Sequence, residues 1–259
     1  MTPAGIRPFL RRLFGVDLQQ RISREFERAR AQGGHSFPDR IVLPERWGRG
    51  MPERVVELLL ARLSYRPGQR VLDIGHANSM ECHRDMIRSL PAPRRLTGLD
   101  IAEPVYDASL LYEASVRASV GEAPFEDEAF DLIWCISSFE HFGMDNTGYR
   151  PGFAVDETIA DAALGEMTRI LAPEGTLLLT VPYGRHENHG WFRNFDERSL
   201  SRVVERLRPV ASVRELYFAH DAAEGWRAAE PERLRDVGYH DQKNAGASAL
   251  AAVVARKNR

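Results

Sequence analysis

Two groups of residues in this 259-residue chain have types and spacing that could carry chemistry. Glu140 and His141 stand together just past an apolar run, Phe130-Asp-Leu-Ile-Trp-Cys-Ile136. Histidine has an ordinary pKa near ~6.5, which suits it to remove a proton around neutrality. A carboxyl beside it, here Glu140, can assist that step. The same histidine can equally begin a helix and bond to backbone, and on the residues alone both readings stand. Further along comes Pro182-Tyr-Gly-Arg-His-Glu-Asn-His-Gly-Trp-Phe-Arg193. Its Tyr183, Arg185, His186, His189, Trp191 and Arg193 mix aromatic faces with hydrogen-bonding groups, which suits a sugar or another small polar molecule. A merely solvated loop is the plain alternative.

A third set points to a nucleoside. Gly75, Ala77 and Ser79 follow the run Val71-Leu-Asp-Ile, so every second residue is small. A ligand lying against backbone needs that absence of side chains. Asp100 lies 25 residues after Gly75, at the end of a second run, Arg95-Leu-Thr-Gly-Leu-Asp100. A carboxylate there is placed to accept hydrogen bonds from both hydroxyls of a ribose. His76, Cys82 and His83 are metal-ligating types, but no fourth ligand accompanies them. His186 and His189 could pair around a divalent ion with Asp145 or Asp156. No resident metal is expected.

These residues need elements that bring them together. Short continuous apolar runs suit strands buried on both faces. Such runs begin at Val71, Arg95 and Phe130, and a fourth is Gly175-Thr-Leu-Leu-Leu-Thr-Val181. A helix is expected after the first, to about Leu90. Another precedes the fourth, because Ala160, Ala163, Leu164, Met167, Ile170 and Leu171 share one face until Pro173 and Gly175. Strands alternating with helices predict an α/β, Rossmann-like, doubly wound and mostly parallel sheet. Ser212 to Ala219 and Ser248 to Ala255 read as two more strands, pairing antiparallel at one edge. In such sheets ligands bind beyond the carboxyl ends of the strands, where the three sets fall.

Composition narrows the class. Hydrophobic residues make up 43% and charged residues 28%, enough for a sizeable core. The net charge of −2 gives no electrostatic reason to expect nucleic acid. Two cysteines, Cys82 and Cys135, are too few for a disulfide framework and fit a reducing cytoplasm. No apolar run reaches the ~18 residues of a spanning helix, so no integral membrane association is expected. Phe9, Leu10, Leu13, Phe14, Leu18, Ile22 and Phe26 form a helical stripe, Gly33-Gly34 breaks it, and a second helix runs from Pro52 to about Leu63. Residues 1–63 are therefore expected to form a helical cap or lid, and 64–259 the sheet domain.

The order of four motifs resembles the class I S-adenosylmethionine-dependent methyltransferases. They are Val71-Leu-Asp-Ile-Gly75, Leu96-Thr-Gly-Leu-Asp100, Ala123-Pro-Phe-Glu-Asp-Glu-Ala-Phe-Asp-Leu-Ile133, and Glu166-Met-Thr-Arg-Ile-Leu-Ala-Pro-Glu-Gly-Thr-Leu-Leu-Leu-Thr-Val-Pro182. The resemblance implies a seven-stranded sheet with an antiparallel edge strand, S-adenosyl-L-methionine as cofactor, and methyl transfer as the activity. It implies that Asp73, Gly75, His76 and Ala77 line the methionine part. Asp100 and Ile101 would hold ribose and adenine, Ser119 and Val120 the adenine edge, and Ser137 and Ser138 would face the sulfonium. His76, Ala77 and Ser79 depart from the family's commoner cysteine and glycines, and Ser119 from its commoner acid. The short interval from Asp100 to Ser119 leaves little room for the usual second helix. The long loop at 144–156 adds a similarity to enzymes of bacterial glycan and natural-product biosynthesis.

On this reading His141, assisted by Glu140, deprotonates a hydroxyl of a sugar or small polar metabolite, and the loop from Tyr183 to Arg193 holds that acceptor. Two other functions are kept open. A catalytically inactive assembly subunit would explain the altered glycine loop. A nicotinamide-dependent oxidoreductase would need Gly-x-Gly-x-x-Gly, where Ala77 and Met80 stand instead. Nucleic-acid methylation lacks both a basic patch and an Asp/Asn-Pro-Pro-aromatic signature. A homodimer is the one assembly left open.

Overall fold

The computed structural model describes residues 41, 43–92, 94–152, 155–156, 158–242 and 246–259. The stripe from Phe9 to Phe26 and the Gly33-Gly34 break lie outside them. Strands β1 (Arg70–Ile74), β2 (Arg95–Asp100), β3 (Ala114–Arg117), β4 (Phe130–Ile136) and β5 (Leu171–Pro182) are joined by β8 (Ala211–Asp221), β9 (Gly225–Ala228) and β10 (Ala249–Lys257). The sheet is ordered β3-β2-β1-β4-β5-β10-β8-β9. β6 (Glu187–Asn188) and β7 (Arg193–Asn194) form a separate small antiparallel pair.

The first five strands of that order are parallel. β10 lies antiparallel between β5 and β8, and β9 adds an antiparallel edge. The sheet thus has eight strands where seven are expected. The extra one is β9, which folds from the segment around Trp226. Strand order reverses between β1 and β4, which makes the carboxyl ends of those strands the crevice for a ligand.

Alternation along the strands divides the core. Leu72, Ile74, Ile133, Cys135, Leu177 and Leu179 face one side, while Val71, Leu132, Trp134 and Leu178 face the other. The first side is covered by α3 (Thr158–Ile170) and α4 (Glu197–Leu207), through Leu164, Met167, Leu200 and Val204. Asp196 and Ser199 start α4 with a reciprocal capping box. The second side is covered by α1 (Arg54–Ser64) and α2 (Glu81–Arg88). α3 ends at Ile170 and β5 begins at once. Pro173 and Gly175 fall in a bulge between the Phe130–Leu171 and Leu132–Thr176 pairs rather than in a loop.

α1 is apolar nearly all round, so it is buried nearly all round. Val55, Val56, Leu58 and Leu60 have no exposure. Each such side chain contributes ~1.5–3 kcal/mol by leaving water. Trp134 of β4 donates its indole N–H to Ser64 Oγ at 2.9 Å. This helix therefore packs into the same core as the sheet, and the expected boundary at residue 63 falls one residue before its end. The strap before it is fixed to the far edge of the sheet. Trp226 donates its backbone N–H to the Trp47 carbonyl at 2.7 Å and its indole N–H to the Met51 carbonyl at 3.0 Å. Gly50 N–H reaches His220 Nε2 at 3.3 Å, and Ala247 N–H reaches Glu53 Oε2 at 2.8 Å. No helix among the described residues is long and apolar enough to cross a membrane.

Candidate functional site

A cavity of about 1220 Å³ opens along the carboxyl ends of β1, β2 and β4. Its floor begins at Gly75, which leaves β1 with φ 88°. A Cβ there would meet Ser138 Oγ at 1.9 Å, so only glycine fits. Ser138 is fixed by donating to the carbonyls of Ile74 and Ile136. It belongs to the turn after β4, where Ser137 is held at φ 43°, a strained conformation for a residue with a side chain. Ser137 donates from backbone to Thr180 Oγ1 at 3.1 Å and from its hydroxyl to Glu57 Oε1 at 2.7 Å.

Asp100 closes β2 and also lines the cavity. Its two oxygens accept from Ala77 N–H at 2.8 Å and from Ala102 N–H at 2.9 Å. A carboxylate has lone pairs beyond those two, so ribose hydroxyls can still be received. Burial raises its pKa above the ordinary value even though both N–H groups favour the anion. Ile101, Ser119 and Val120 lie along the same wall, where the adenine edge is expected.

Three expected cofactor contacts point elsewhere. Asp73 faces α2, where its Oδ2 receives the Tyr112 hydroxyl at 2.6 Å and lies 3.2 Å from His83 Nε2. Burial works to raise its pKa, but His83 and the Tyr112 hydroxyl outweigh that and hold it low. His76 turns inward after Gly75. Its ring is buried, with Nδ1 3.0 Å from the Tyr106 hydroxyl and Nε2 3.1 Å from Ser115 Oγ. It fills the space over Gly98, where a Cβ would come within 2.6 Å of the ring. Burial depresses its pKa, partly opposed by Asp73 and Asp100. Ala77 is wholly buried and contributes only its backbone. The turn after Gly75 is a short 3₁₀ element that rotates His76 and Ala77 off the cavity, while Asp73, inside β1, is aimed at α2 by strand alternation.

His141 lines the cavity at the other end, with Phe142, Tyr149 and Trp191. It ends the 3₁₀ turn Phe139–His141 and is bonded to backbone, so the two readings left open for it coincide in part. Its Nδ1 lies 2.8 Å from the Trp191 carbonyl, which can only accept. The proton therefore sits on Nδ1, and Nε2 keeps its lone pair. Burial lowers the pKa to about 4, with the Trp191 bond opposing and Arg54 reinforcing the shift. This corrects the expectation of a near-neutral pKa. Glu140 is a correction too. It is 5% exposed, its Oε1 is 4.0 Å from His141 Nε2, and burial pushes its pKa well up. A carboxyl at that distance does not orient the ring; the Trp191 carbonyl does.

Of the six residues expected to hold an acceptor, Trp191 alone lines the cavity. Tyr183 is buried against Tyr217. Arg185 pairs with Glu187 at 3.0 Å. His189 stacks on Phe192 at 4.4 Å and approaches Glu187 at 3.1 Å. Arg193 donates to the Phe142 carbonyl, and His186 is exposed beside Asp196. The β6–β7 hairpin turns this segment away and leaves its tip, Trp191, stacked on His141 at 4.8 Å. Asn146, Tyr149 and Arg150, from the long loop after β4, line the cavity in place of the missing residues, as does Arg54. The length of that loop was the available signal for its three; nothing local marks Arg54.

Residues 72–179 match the family model described as "Methyltransferase domain". Several solved structures are similar. One is a chain of the Haloferax volcanii complex of the Trm112 methyltransferase activator with a methyltransferase: 19% identity, 83% of this chain and 90% of that chain covered, TM-score 0.51. Another is the Burkholderia thailandensis 1,6-didemethyltoxoflavin-N1-methyltransferase, solved with 1,6-didemethyltoxoflavin and S-adenosylhomocysteine: 15% identity, 73% and 71% covered, TM-score 0.47. A third is the Bradyrhizobium japonicum N-methyltransferase NodS, solved with S-adenosylhomocysteine: 16% identity, 79% and 86% covered, TM-score 0.48. Residues 72–179 are thus similar to a methyltransferase domain, and the chain shares the fold of the Haloferax volcanii chain.

Proposed function

We propose that the protein methylates a hydroxyl of a sugar or other small polar molecule, bound at the His141 end of the cavity. The observation that carries this reading is the extent of the cavity. At about 1220 Å³ it exceeds the ~300–1,000 Å³ of a site for one ligand, and it runs unbroken from Asp100 to Trp191. The Gly75 and Asp100 end fits a nucleoside cofactor, because the backbone is bare at one residue and a carboxylate stands at the other. The cofactor supplies an electrophilic methyl group.

The chain's own residues then have three tasks. Gly75 and Ser138 give the ligand close access to backbone. Trp191, Tyr149 and Phe142 offer faces to a ring and exclude water. His141 Nε2 would accept a hydrogen bond from the acceptor hydroxyl and take its proton, while the cofactor's methyl would pass to that oxygen with its carbon–sulfur bond breaking and the thioether leaving. Holding reactants in line supplies much of the rate enhancement in such a displacement, so a weak base serves.

Calorimetry with S-adenosylhomocysteine tests the cofactor end. Wild type should bind it, and Asp100→Ala should lose ~10–100-fold, as for loss of hydrogen bonds to a charged group. A screen of glycosides and nucleotide sugars with methyl-labelled cofactor tests the acceptor end. Transfer confined to amines or to carbon would sink the hydroxyl assignment.

A further inference from the structure

The cavity wall between β4 and α1 carries a cation that the motifs leave unassigned. Arg54 is the first residue of α1, its side chain is 20% exposed, and it lines the cavity beside Gly75, Ser137 and Ser138. Its one close partner among the described residues is Glu57, with Nη1 3.3 Å from Oε2. A guanidinium has five N–H donors, so most of this one's donor capacity faces the cavity unused. The other cavity-lining arginines are engaged. Arg84 donates to the Ser79 carbonyl and to Glu81 and lies over the Tyr106 ring; Arg150 pairs with Glu122 at 3.1 Å.

Arg54 is also anchored. Glu57 has no exposure, and its Oε1 receives Ser137 Oγ and Thr180 Oγ1, each at 2.7 Å. The guanidinium is thereby tied to the ends of both β4 and β5. Glu57 Oε2 has no hydrogen-bond donor of its own, which leaves the ion pair as its sole compensation. Two more carboxyls lie near. Burial pushes the pKa of both upward, that of Glu53 to about 7.

Position along the sheet selects the ligand group. Asp100 ends β2 and Ser137 follows β4, with β1 between them. Strands are ~4.8 Å apart, so the two ends are separated by about 10 Å. A ligand with its ribose at Asp100 and its sulfur over Gly75 brings its amino-acid end to the β4 side. We infer that Arg54 binds the α-carboxylate of the cofactor's methionine part through charge-assisted hydrogen bonds, with Glu57 as its positioning residue. The assignment rests on the cofactor reading of the cavity.

The test compares two ligands by calorimetry: S-adenosylhomocysteine and its decarboxylated analogue, which differs only in the carboxylate. Arg54→Met should weaken S-adenosylhomocysteine ~10–100-fold, as expected for hydrogen bonds to a charged group, and change the analogue by less than threefold. Arg54→Lys should recover part of the loss. Glu57→Gln should give a smaller loss confined to the same ligand. Arg54→Met leaves Glu57 buried without its counter-ion, so the double variant Arg54→Met/Glu57→Gln provides a neutral background with the same expected selectivity. Equal losses for both ligands overturn the assignment and make Arg54 structural. Unchanged S-adenosylhomocysteine affinity with a raised acceptor KM also overturns it and moves Arg54 to the acceptor. If wild type binds neither ligand, the cofactor reading itself fails.

Discussion

His141 and Trp191 hold each other twice: the Nδ1 of the histidine lies 2.8 Å from the carbonyl of the tryptophan, and the two rings stack at 4.8 Å. One contact fixes the tautomer and the other fixes the plane. The free Nε2 is therefore placed by a hairpin tip 50 residues away in sequence.

His141→Ala should lower turnover by about 10²-fold with cofactor affinity within twofold. That is the low end for a general base, because its pKa lies below the working pH. The turnover profile of wild type should show no inflection from this residue between pH 6 and 8, since it is neutral throughout. Full turnover by the variant would make His141 structural.

Glu140 supplies a stability test with a definite sign. Its folded pKa is raised above the unfolded value, so its contribution is fully present below about pH 4.5 and is lost as pH rises toward the folded pKa. Glu140→Gln, which cannot ionise, should gain stability relative to wild type as pH rises from 5 to 8. Thermal melts at both ends give the comparison. A difference that shrinks with pH contradicts the upward shift of the Glu140 pKa.

Gly75→Ala should both destabilise the fold and weaken S-adenosylhomocysteine more than tenfold. A left-handed φ costs a side-chain residue ~1–2 kcal/mol. The new methyl would also displace Ser138 from the cavity wall. Adding Ser138→Gly should recover part of the binding. A variant that binds like wild type would show the turn to be freer than its geometry.

Gly98 and His76 should be coupled. Gly98→Ala places a methyl within 2.6 Å of the His76 ring and should cost several degrees of Tm. In a His76→Ala background the same change should be nearly neutral. The double-mutant cycle reads the difference. Independent effects would mean that the ring has room to move.

The sheet was legible where the pattern was local. β1, β2, β4 and β5 are continuous apolar runs, and the face of α3 follows from Ala163, Leu164, Met167 and Ile170. The hairpin was not legible, because two-residue strands have no period to read. Gly75 and Asp100 could be placed from spacing alone. His76 could not, since its direction depends on one 3₁₀ turn and on the absence of a side chain at Gly98. Arg54 was invisible for a different reason. What holds it is a glutamate whose own partner, Thr180, is 123 residues further on. The near-neutral pKa expected for His141 failed because burial, a tertiary property, dominates it.

The strap ahead of α1 sets an order of events during synthesis. The carbonyls of Trp47 and Met51 accept hydrogen bonds from Trp226, which emerges 179 residues after Trp47 (226 − 47). At ~5–20 residues per second that interval is on the order of ten to forty seconds. For that time the N-terminal segment must wait beside a growing sheet, and β9, then Ala247 just ahead of β10, fasten it. A nascent chain halted before Gly225 would carry β1 to β5 and the Gly75 turn while the segment leading to Arg54 remained unfastened. Ligand competence is therefore conferred late, by the strands β9 and β10, which touch no part of the cavity.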